Sequence, residues 1–201
     1  MKHPTSRLLH AYWDRVRGAR AAPERSEIDP GAIRNLLADA LILSVDVAAE
    51  QAAFRLAGTR VCALFSRELR GRDLASLWAM PSADPWRLVE TVALDTAGMV
   101  AGLRGETAMG ETVDLELLLL PLRHRGQTQS RVLGSLSPHV VPHWLGLHPL
   151  VRLDTTSLRV LRTEDFGAEE RIDVLQGLPE PANDSSPRRY GHLLVHPGGR
   201  A

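Results

Sequence analysis

The stretch FRLAGTRVCALFSRELRGRDLASLW, residues 54–78, changes its pattern at two glycines. It begins with the apolar–polar alternation of a β-strand, and after Gly58 its apolar residues recur at helical spacing. Beyond Gly71, Asp73 is a candidate N-cap for a second short helix. Because glycine adopts backbone angles that other residues resist, we expect Gly58 to turn the chain out of the strand and Thr59 to cap the next helix. The stretch therefore predicts one strand followed by two short helices.

The segments on either side predict a sheet that this stretch interrupts. Alternating apolar and polar residues predict strands over residues 41–47, 54–56, 113–120, 130–136 and 150–161. A glycine-interrupted strand over 99–107 is a further candidate. Asp-Pro steps at Asp29 and Asp84 predict helix starts, with one helix ending near Asp39 and a longer one ending at Gly98. This order favours an α+β domain with its helices on one face of an antiparallel sheet.

An amphipathic helix is predicted at the start of the chain, after the cap candidates Thr5 and Ser6. Its apolar stripe consists of Leu8, Leu9, Tyr12, Trp13 and Val16. Tyrosine and tryptophan are enriched at protein interfaces. One hypothesis is a homodimer interface formed by Leu9, Tyr12, Trp13 and Val16. The other is packing of the same stripe onto its own domain.

The amino-acid composition limits which kinds of partner and which cellular compartment we expect. The 201 residues carry 24 basic and 24 acidic side chains, so the chain lacks the positive charge typical of a nucleic-acid binder. The single cysteine, Cys62, cannot form an internal disulfide and predicts a reducing compartment. No apolar run is long enough for a signal peptide or a membrane span. We expect a cytoplasmic chain with a helix and loop over 1–27, a domain over 28–162 and a flexible tail over 163–201, where GHLLVHPGGR is a candidate docking peptide.

Histidines are the candidates for a metal site. His139, His143 and His148 are spaced by four and five residues, but prolines between them interrupt any helix that would align them. We therefore expect surface or structural histidines. The chain contains no nucleophile elbow, phosphate-binding loop or dinucleotide fingerprint, so the sequence predicts no enzyme. Asp114 and Glu116 alternate with apolar residues, and we expect both on the solvent face of a strand.

The order of these segments resembles the PAS fold, in which helices interrupt a five-stranded antiparallel sheet after its second strand. The residues that carry the resemblance are Leu8–Trp13, Ile28–Pro30, Phe54–Thr59, Glu68–Arg72, Leu115–Leu122 and Trp144–Gly146. The chain is similar to the PAS-like family of small alphaproteobacterial proteins over roughly residues 5–162. The resemblance implies a sensory or protein-interaction module, frequently dimeric, with a cavity between sheet and helices in some relatives and no catalytic residues. Flavin is disfavoured because Cys62 lacks the neighbouring asparagine and glutamine residues of the flavin motif, and haem because residues 84–98 contain no histidine.

Together these features predict a stand-alone cytoplasmic PAS-like regulatory protein that binds an unknown small ligand, a partner protein or both. The two short helices would act as a mobile wall, because short pieces with few buried contacts open easily. A pocket beneath this wall would be lined by Leu56, Val61, Phe65, Leu77, Trp78 and Val92. One alternative is a structural partner subunit in which these residues simply fill the core. The other is a metal-dependent enzyme that uses His139, His143 and His148.

Overall fold

The computed structural model describes residues 1–78 and 85–161, except the side chains of 127–129, and the backbone of 188–190 and 193–195. The chain divides into two compact units, Met1–Gly167 and Ala168–Ala201. In the second unit, Arg188–Tyr190 pairs antiparallel with Leu193–Val195. The rest of the expected tail at 163–201 lies outside the described residues and stays a prediction.

The first unit is built on one antiparallel sheet. Its helices are α1 Pro4–Arg17, α2 Thr59–Leu64 and α3 Pro85–Leu94, with 3₁₀ turns at Arg25–Glu27 and Leu74–Leu77. Its strands are β1 Ala40–Asp46, β2 Gln51–Ala57, β3 Gly98–Thr107, β4 Thr112–His124, β5 Gln127–Pro138 and β6 Leu150–Leu161. The strand order is β2-β1-β5-β4-β3-β6. The predicted α+β class is confirmed, and no helix of the described residues is long and apolar enough to cross a bilayer.

The sheet has six strands where five are expected, because the glycine-interrupted segment forms the complete strand β3 between β4 and β6. Two glycines of β3 lie where neighbouring side chains leave no room for a Cβ atom. A Cβ on Gly102 would come within 2.5 Å of Ser157 Oγ, and one on Gly105 within 2.7 Å of Leu150 Cδ1. These glycines therefore permit close packing against β6 instead of ending the strand.

Helices cover both faces of the sheet. The inner face, which carries Leu117 and Leu119, packs against α2, the second 3₁₀ turn and α3 in one core cluster. The outer face, which carries Leu118 and Leu120, packs against α1 and the segment 22–37 in a second cluster. Successive strand residues point to opposite faces, so a run of four buried leucines requires cover on both sides. The expected group of helices lies on the inner face, and α1 covers the outer one.

The predicted first helix is present as α1, but its cap differs from the expectation. His3 is the N-cap residue, and its Nδ1 accepts a hydrogen bond from Thr5 N at 3.2 Å. Pro4 occupies the first helical position, which suits proline because no intrahelical donor is needed there. Thr5 and Ser6, the expected caps, are instead buried within the first turn.

The segment after Asp29 forms a series of turns instead of the predicted helix to Asp39. Asp29 Oδ1 accepts a hydrogen bond from Gly31 N at 2.8 Å, a local bond that offers the backbone an alternative to helix. Later backbone bonds join residues three apart, as from Ile33 N to Pro30 O at 3.3 Å. The segment still buries Ile33 against the outer face, so the apolar pattern identified the buried residue but not the conformation.

Gly58 and Gly71, the two glycines of the stretch 54–78, are required for different structural reasons. Gly58 has an ordinary φ of −64°, so the expectation of unusual backbone angles there is wrong. It is needed for space, because a Cβ at this position would lie 2.2 Å from Ala38 O. Gly58 is itself the N-cap of α2, and Thr59 is the first helical residue instead of the cap. Gly71 has a φ of +79°, which confirms the second sharp turn.

The long helix predicted from Asp84 corresponds to α3, although Asp84 itself lies outside the described residues. Its side chains Val89 and Val92 are fully buried on the inner face. The helix ends at Leu94, and Gly98 begins β3 instead of terminating the helix as expected. The chain turns between them at residue 96, a threonine with a φ of +53°.

Candidate functional site

The wall, residues 59–78, lies over the inner face and brings together most of the predicted pocket residues. Val61, Phe65 and Leu77 join Val92 of α3 in the inner core cluster, and each is at most 4% exposed. Trp78 is half-buried and packs against the same cluster. The sequence therefore identified side chains that share one space beneath the wall, and their role as a ligand pocket stays a prediction.

Hydrogen bonds attach the wall to both edges of the sheet. Between its two short helices, Gly71 N donates to Phe54 O at 2.7 Å, and Phe54 N donates to Arg72 O at 2.9 Å. These bonds lie along the edge strand β2. At the end of the wall, Trp78 Nε1 donates to Thr155 Oγ1 at 3.2 Å on the opposite edge strand, β6. The wall thus crosses the inner face from one edge strand to the other.

Leu56 lies away from the other predicted pocket residues. The register of β1 and β2 shifts between Ile42 and Leu43, so that Arg55 is an extra residue in a β-bulge. Because faces alternate along a strand, one extra residue reverses the alternation. Phe54 therefore pairs with Leu43 on the inner face, whereas Leu56 pairs with Ile42 on the outer face and is 41% exposed. Strand periodicity alone gives no sign of this bulge.

The apolar stripe of α1 packs against the outer face of its own sheet. The predicted interface residues found there, buried or half-buried, are Leu9, Tyr12, Trp13 and Val16. Trp13 Nε1 donates to Pro121 O at 2.8 Å, and Tyr12 OH accepts a hydrogen bond from Asp29 N at 2.7 Å. Packing onto its own domain is the second of the two hypotheses for this stripe. A homodimer stays a prediction, but these side chains are covered within the chain.

Sequence reasoning missed a buried carboxylate beneath the start of α1. Asp114 lies at the surface as expected, whereas Glu116 is only 4% exposed. Glu116 Oε2 accepts a hydrogen bond from Lys2 N at 2.7 Å, and Oε1 accepts one from His3 N at 3.1 Å. The prediction of a solvent-facing Glu116 is wrong because residue 116 shares its face with Leu118, and α1 covers that face. The leucine run that follows was the available signal, since it indicates burial on both faces.

The surroundings of Glu116 favour its ionised form. Burial opposes ionisation, but the hydrogen bonds that the Lys2 and His3 amides donate to the carboxylate favour it, and the pKa of Glu116 is lowered. Burial also lowers the pKa of His3, against the opposing field of the Glu116 carboxylate. Charge-assisted hydrogen bonds therefore attach the start of α1 to the sheet.

The histidine segment does not assemble a metal site in the part of the chain that the structure describes. His139 and His143 are exposed, and His148 Nδ1 lies 2.6 Å from Glu111 Oε2. No three histidine, cysteine, aspartate or glutamate side chains are grouped there so as to hold a metal ion. Trp144 is buried in the inner cluster and anchors the segment. This geometry gives no support to the metal-dependent enzyme.

Comparison with protein families assigns this architecture to a family. A family model described as a PAS domain matches residues 1–137, which is more than half of the chain. The chain belongs to the PAS domain family. The match includes α1, the wall and nearly all of β5, and it confirms the resemblance inferred from the sequence. PAS domains are generally sensory or regulatory modules. None of the curated proteins matches this PAS domain.

Solved structures similar to this PAS domain include light-oxygen-voltage domains of low sequence identity. A variant of RsLOV is 19% identical, with 55% of this chain and 68% of that chain covered and a TM-score of 0.41. The light state of the blue-light photoreceptor Aureochrome1 LOV is 18% identical, with coverage of 58% and 91% and a TM-score of 0.39. An RNA-binding light-oxygen-voltage receptor is 19% identical, with coverage of 73% and 36% and a TM-score of 0.39. At these identities the similarity concerns the fold alone.

Cys62 lies in α2, within the wall of this PAS domain. The residue is half-buried against the inner cluster, and its Sγ is 3.9 Å from Ala57 O and 3.7 Å from Glu68 Oε1. Burial above all, and the nearby Glu68 carboxylate, raise the pKa of the Cys62 thiol. A thiol with a raised pKa is protonated at neutral pH and is a weak nucleophile. Its surroundings therefore suit a small apolar side chain better than a reactive one.

Proposed function

We propose that this PAS domain is a sensory or regulatory module of the cytoplasm that acts by contact with a partner protein, a small ligand or both. The observation that carries the proposal is the family match over residues 1–137, which includes the wall across the inner face. A module of this kind needs an element whose packing changes on binding. The wall is our candidate for that element.

The wall suits this role because it consists of short elements attached at a few points. Its α2 helix has six residues and its 3₁₀ turn has four. Helices of this length are not stable through their own hydrogen bonds, so the wall depends on the side chains buried beneath it. Those side chains include Val61, Leu64 and Leu77. A molecule that enters beneath the wall, or a partner that displaces one of its attachments, therefore shifts its packing.

Native mass spectrometry tests the proposal on the full chain purified from its own cells, beside a denatured control. A small-molecule mass that is released on denaturation supports a ligand sensor. A second protein subunit of defined mass supports a protein-interaction module. A chain that carries neither, and that yields no partner after crosslinking in its own cells, contradicts the proposal.

A further inference from the structure

Arg131 lies on the outer face of the sheet beside Ser44, and two further arginines lie near it. Arg131 of β5 is half-buried, and its Nη1 donates to Ser44 Oγ at 2.7 Å and to Ser130 O at 2.6 Å. Arg55 in the bulge of β2 and Arg125 in the turn between β4 and β5 are exposed. Burial first, and then the charges of Arg55 and Arg125, lower the pKa of Arg131. We call Arg55, Arg125 and Arg131 the arginine patch.

The arginine patch lacks the carboxylates that several other arginines have. Arg60 Nη2 lies 2.7 Å from Asp39 Oδ2, and Arg104 Nε lies 3.0 Å from Asp114 Oδ1. No carboxylate of the described residues forms an ion pair with a member of the patch. Cations held near one another without a counter-charge repel each other. The patch therefore has no counter-charge among the described residues and complements an anionic group that binds to it.

The patch also has the geometry for carboxylate recognition. The bonds to Ser44 and Ser130 use Nη1 of Arg131 and fix its guanidinium, and Nε and Nη2 have no partner among the described side chains. Nε and Nη2 form the edge of a guanidinium that binds a carboxylate through two parallel hydrogen bonds. Leu56, the exposed leucine of the bulge, follows Arg55 directly and adds an apolar contact to the charged surface.

We propose that the arginine patch, together with Leu56, is a docking surface for an acidic segment of a partner protein that carries an apolar residue among its carboxylates. This inference rests on the proposed function as a protein-binding module and names the chemistry of the partner. Nucleic acid fits the surface less well, because a chain with a net charge of +0 offers three arginines beside a leucine instead of an extended basic track.

The position of the patch connects partner binding to the wall. Arg55 and Leu56 lie just before Gly58, where β2 ends and α2 begins. Gly58 packs so closely against Ala38 that there is no room for a Cβ, so the start of α2 is held against the residues that lead into β1. Phe54, the residue before the bulge, exchanges hydrogen bonds with the Gly71 turn in the middle of the wall. A partner that moves the bulge therefore acts on two attachments of the wall.

Fluorescence anisotropy with the full chain tests this inference. The probe is a fluorescein-labelled peptide of glutamates with spaced leucines, and the control peptide has glutamine in place of every glutamate. We expect the acidic peptide alone to bind, with an affinity that falls as salt is added. The double variant Arg55→Glu/Arg125→Glu is expected to bind about tenfold more weakly or worse.

Matched variants separate the patch from a general charge effect. Arg7→Glu/Arg87→Glu makes the same change of net charge at exposed sites in α1 and α3, outside the wall and the patch, and we expect its affinity to stay within about twofold of the wild type. The single variant Arg125→Gln is the substitute if the patch double variant does not fold. It is expected to weaken binding by about threefold.

Two results overturn the inference. One is equal binding of the acidic peptide by the wild type and the patch variants, which includes no binding by either. The other is patch-dependent binding of labelled oligothymidylate that is tighter than binding of the acidic peptide, which assigns the surface to nucleic acid. Neither result bears on the proposed function, because native mass spectrometry tests that function through co-purified ligand or subunit.

Discussion

At the residue scale, Glu116 joins the start of α1 to the centre of the sheet through two backbone amides. We predict that Glu116→Gln lowers the free energy of unfolding by about 1–2 kcal/mol at neutral pH, because a buried charged acceptor becomes a weaker neutral one. Asp114→Asn is the matched control on the same strand, where the carboxylate is exposed, and it should cost less than about 1 kcal/mol. Urea unfolding of both variants measures the difference, and equal costs would contradict the buried role of Glu116.

The pH dependence of stability tests the ionisation of Glu116 separately. The pKa of Glu116 is lower in the folded chain than the usual value for glutamate, so its contribution is fully present above that usual value. The contribution is lost as the pH falls through the folded value, because both states are then protonated. We expect the stability gap between wild type and Glu116→Gln to shrink on acidification. Urea midpoints across this range measure the gap, and a gap that stays constant would show that Glu116 is not ionised.

Gly58 and Gly71 allow a second residue-scale comparison. Gly58→Ala places a Cβ 2.2 Å from Ala38 O, where the neighbouring atom is backbone, and we predict a loss of stability of about 3 kcal/mol. Gly71→Ala meets nothing within 4 Å but keeps a φ of +79°, so we predict a loss of about 1 kcal/mol. Thermal unfolding of both variants tests the order. A larger loss for Gly71→Ala would mean that backbone angle matters more than space in this stretch.

At the element scale, the wall depends on its attachment at Trp78. Trp78→Phe keeps an aromatic ring and removes the donor to Thr155 Oγ1, and Thr155→Val removes the acceptor. We predict that each change speeds amide exchange in residues 74–78, and that the double variant adds little to either, because one bond accounts for both effects. Mass-resolved exchange of the three variants measures this. Fully additive effects would mean that the two side chains act independently.

For the helices and strands, the spacing of apolar residues predicts some features and misses others. The strands and the apolar stripes of α1 and α3 follow from the spacing of apolar residues, because burial on one face imposes a period. The turns after Asp29 do not follow, since the local bond to Gly31 competes with helix without changing which residues are apolar. The bulge at Arg55 does not follow either, because one inserted residue reverses the faces of β2 and leaves its composition unchanged.

At the scale of the whole molecule, one part of the candidate site could be predicted from the sequence and another part could not. The side chains beneath the wall could be predicted because the PAS resemblance placed the wall over the sheet and helical spacing selected its inward residues. The arginine patch could not, because Arg55, Arg125 and Arg131 are distant in sequence or on different elements. Arg55 and Arg125 lie near Arg131 only because of the order in which β2, β1, β5 and β4 lie side by side. Strand order is a property of the assembled sheet, and no local pattern encodes it.

The central claim is that binding acts through the wall. Amide hydrogen exchange of the full chain, with and without the ligand or subunit that co-purifies with it, tests this claim most directly. The account predicts changed exchange concentrated in residues 59–78, with β3 unchanged. Exchange that changes only within the sheet, or that leaves residues 59–78 unaffected, would contradict it.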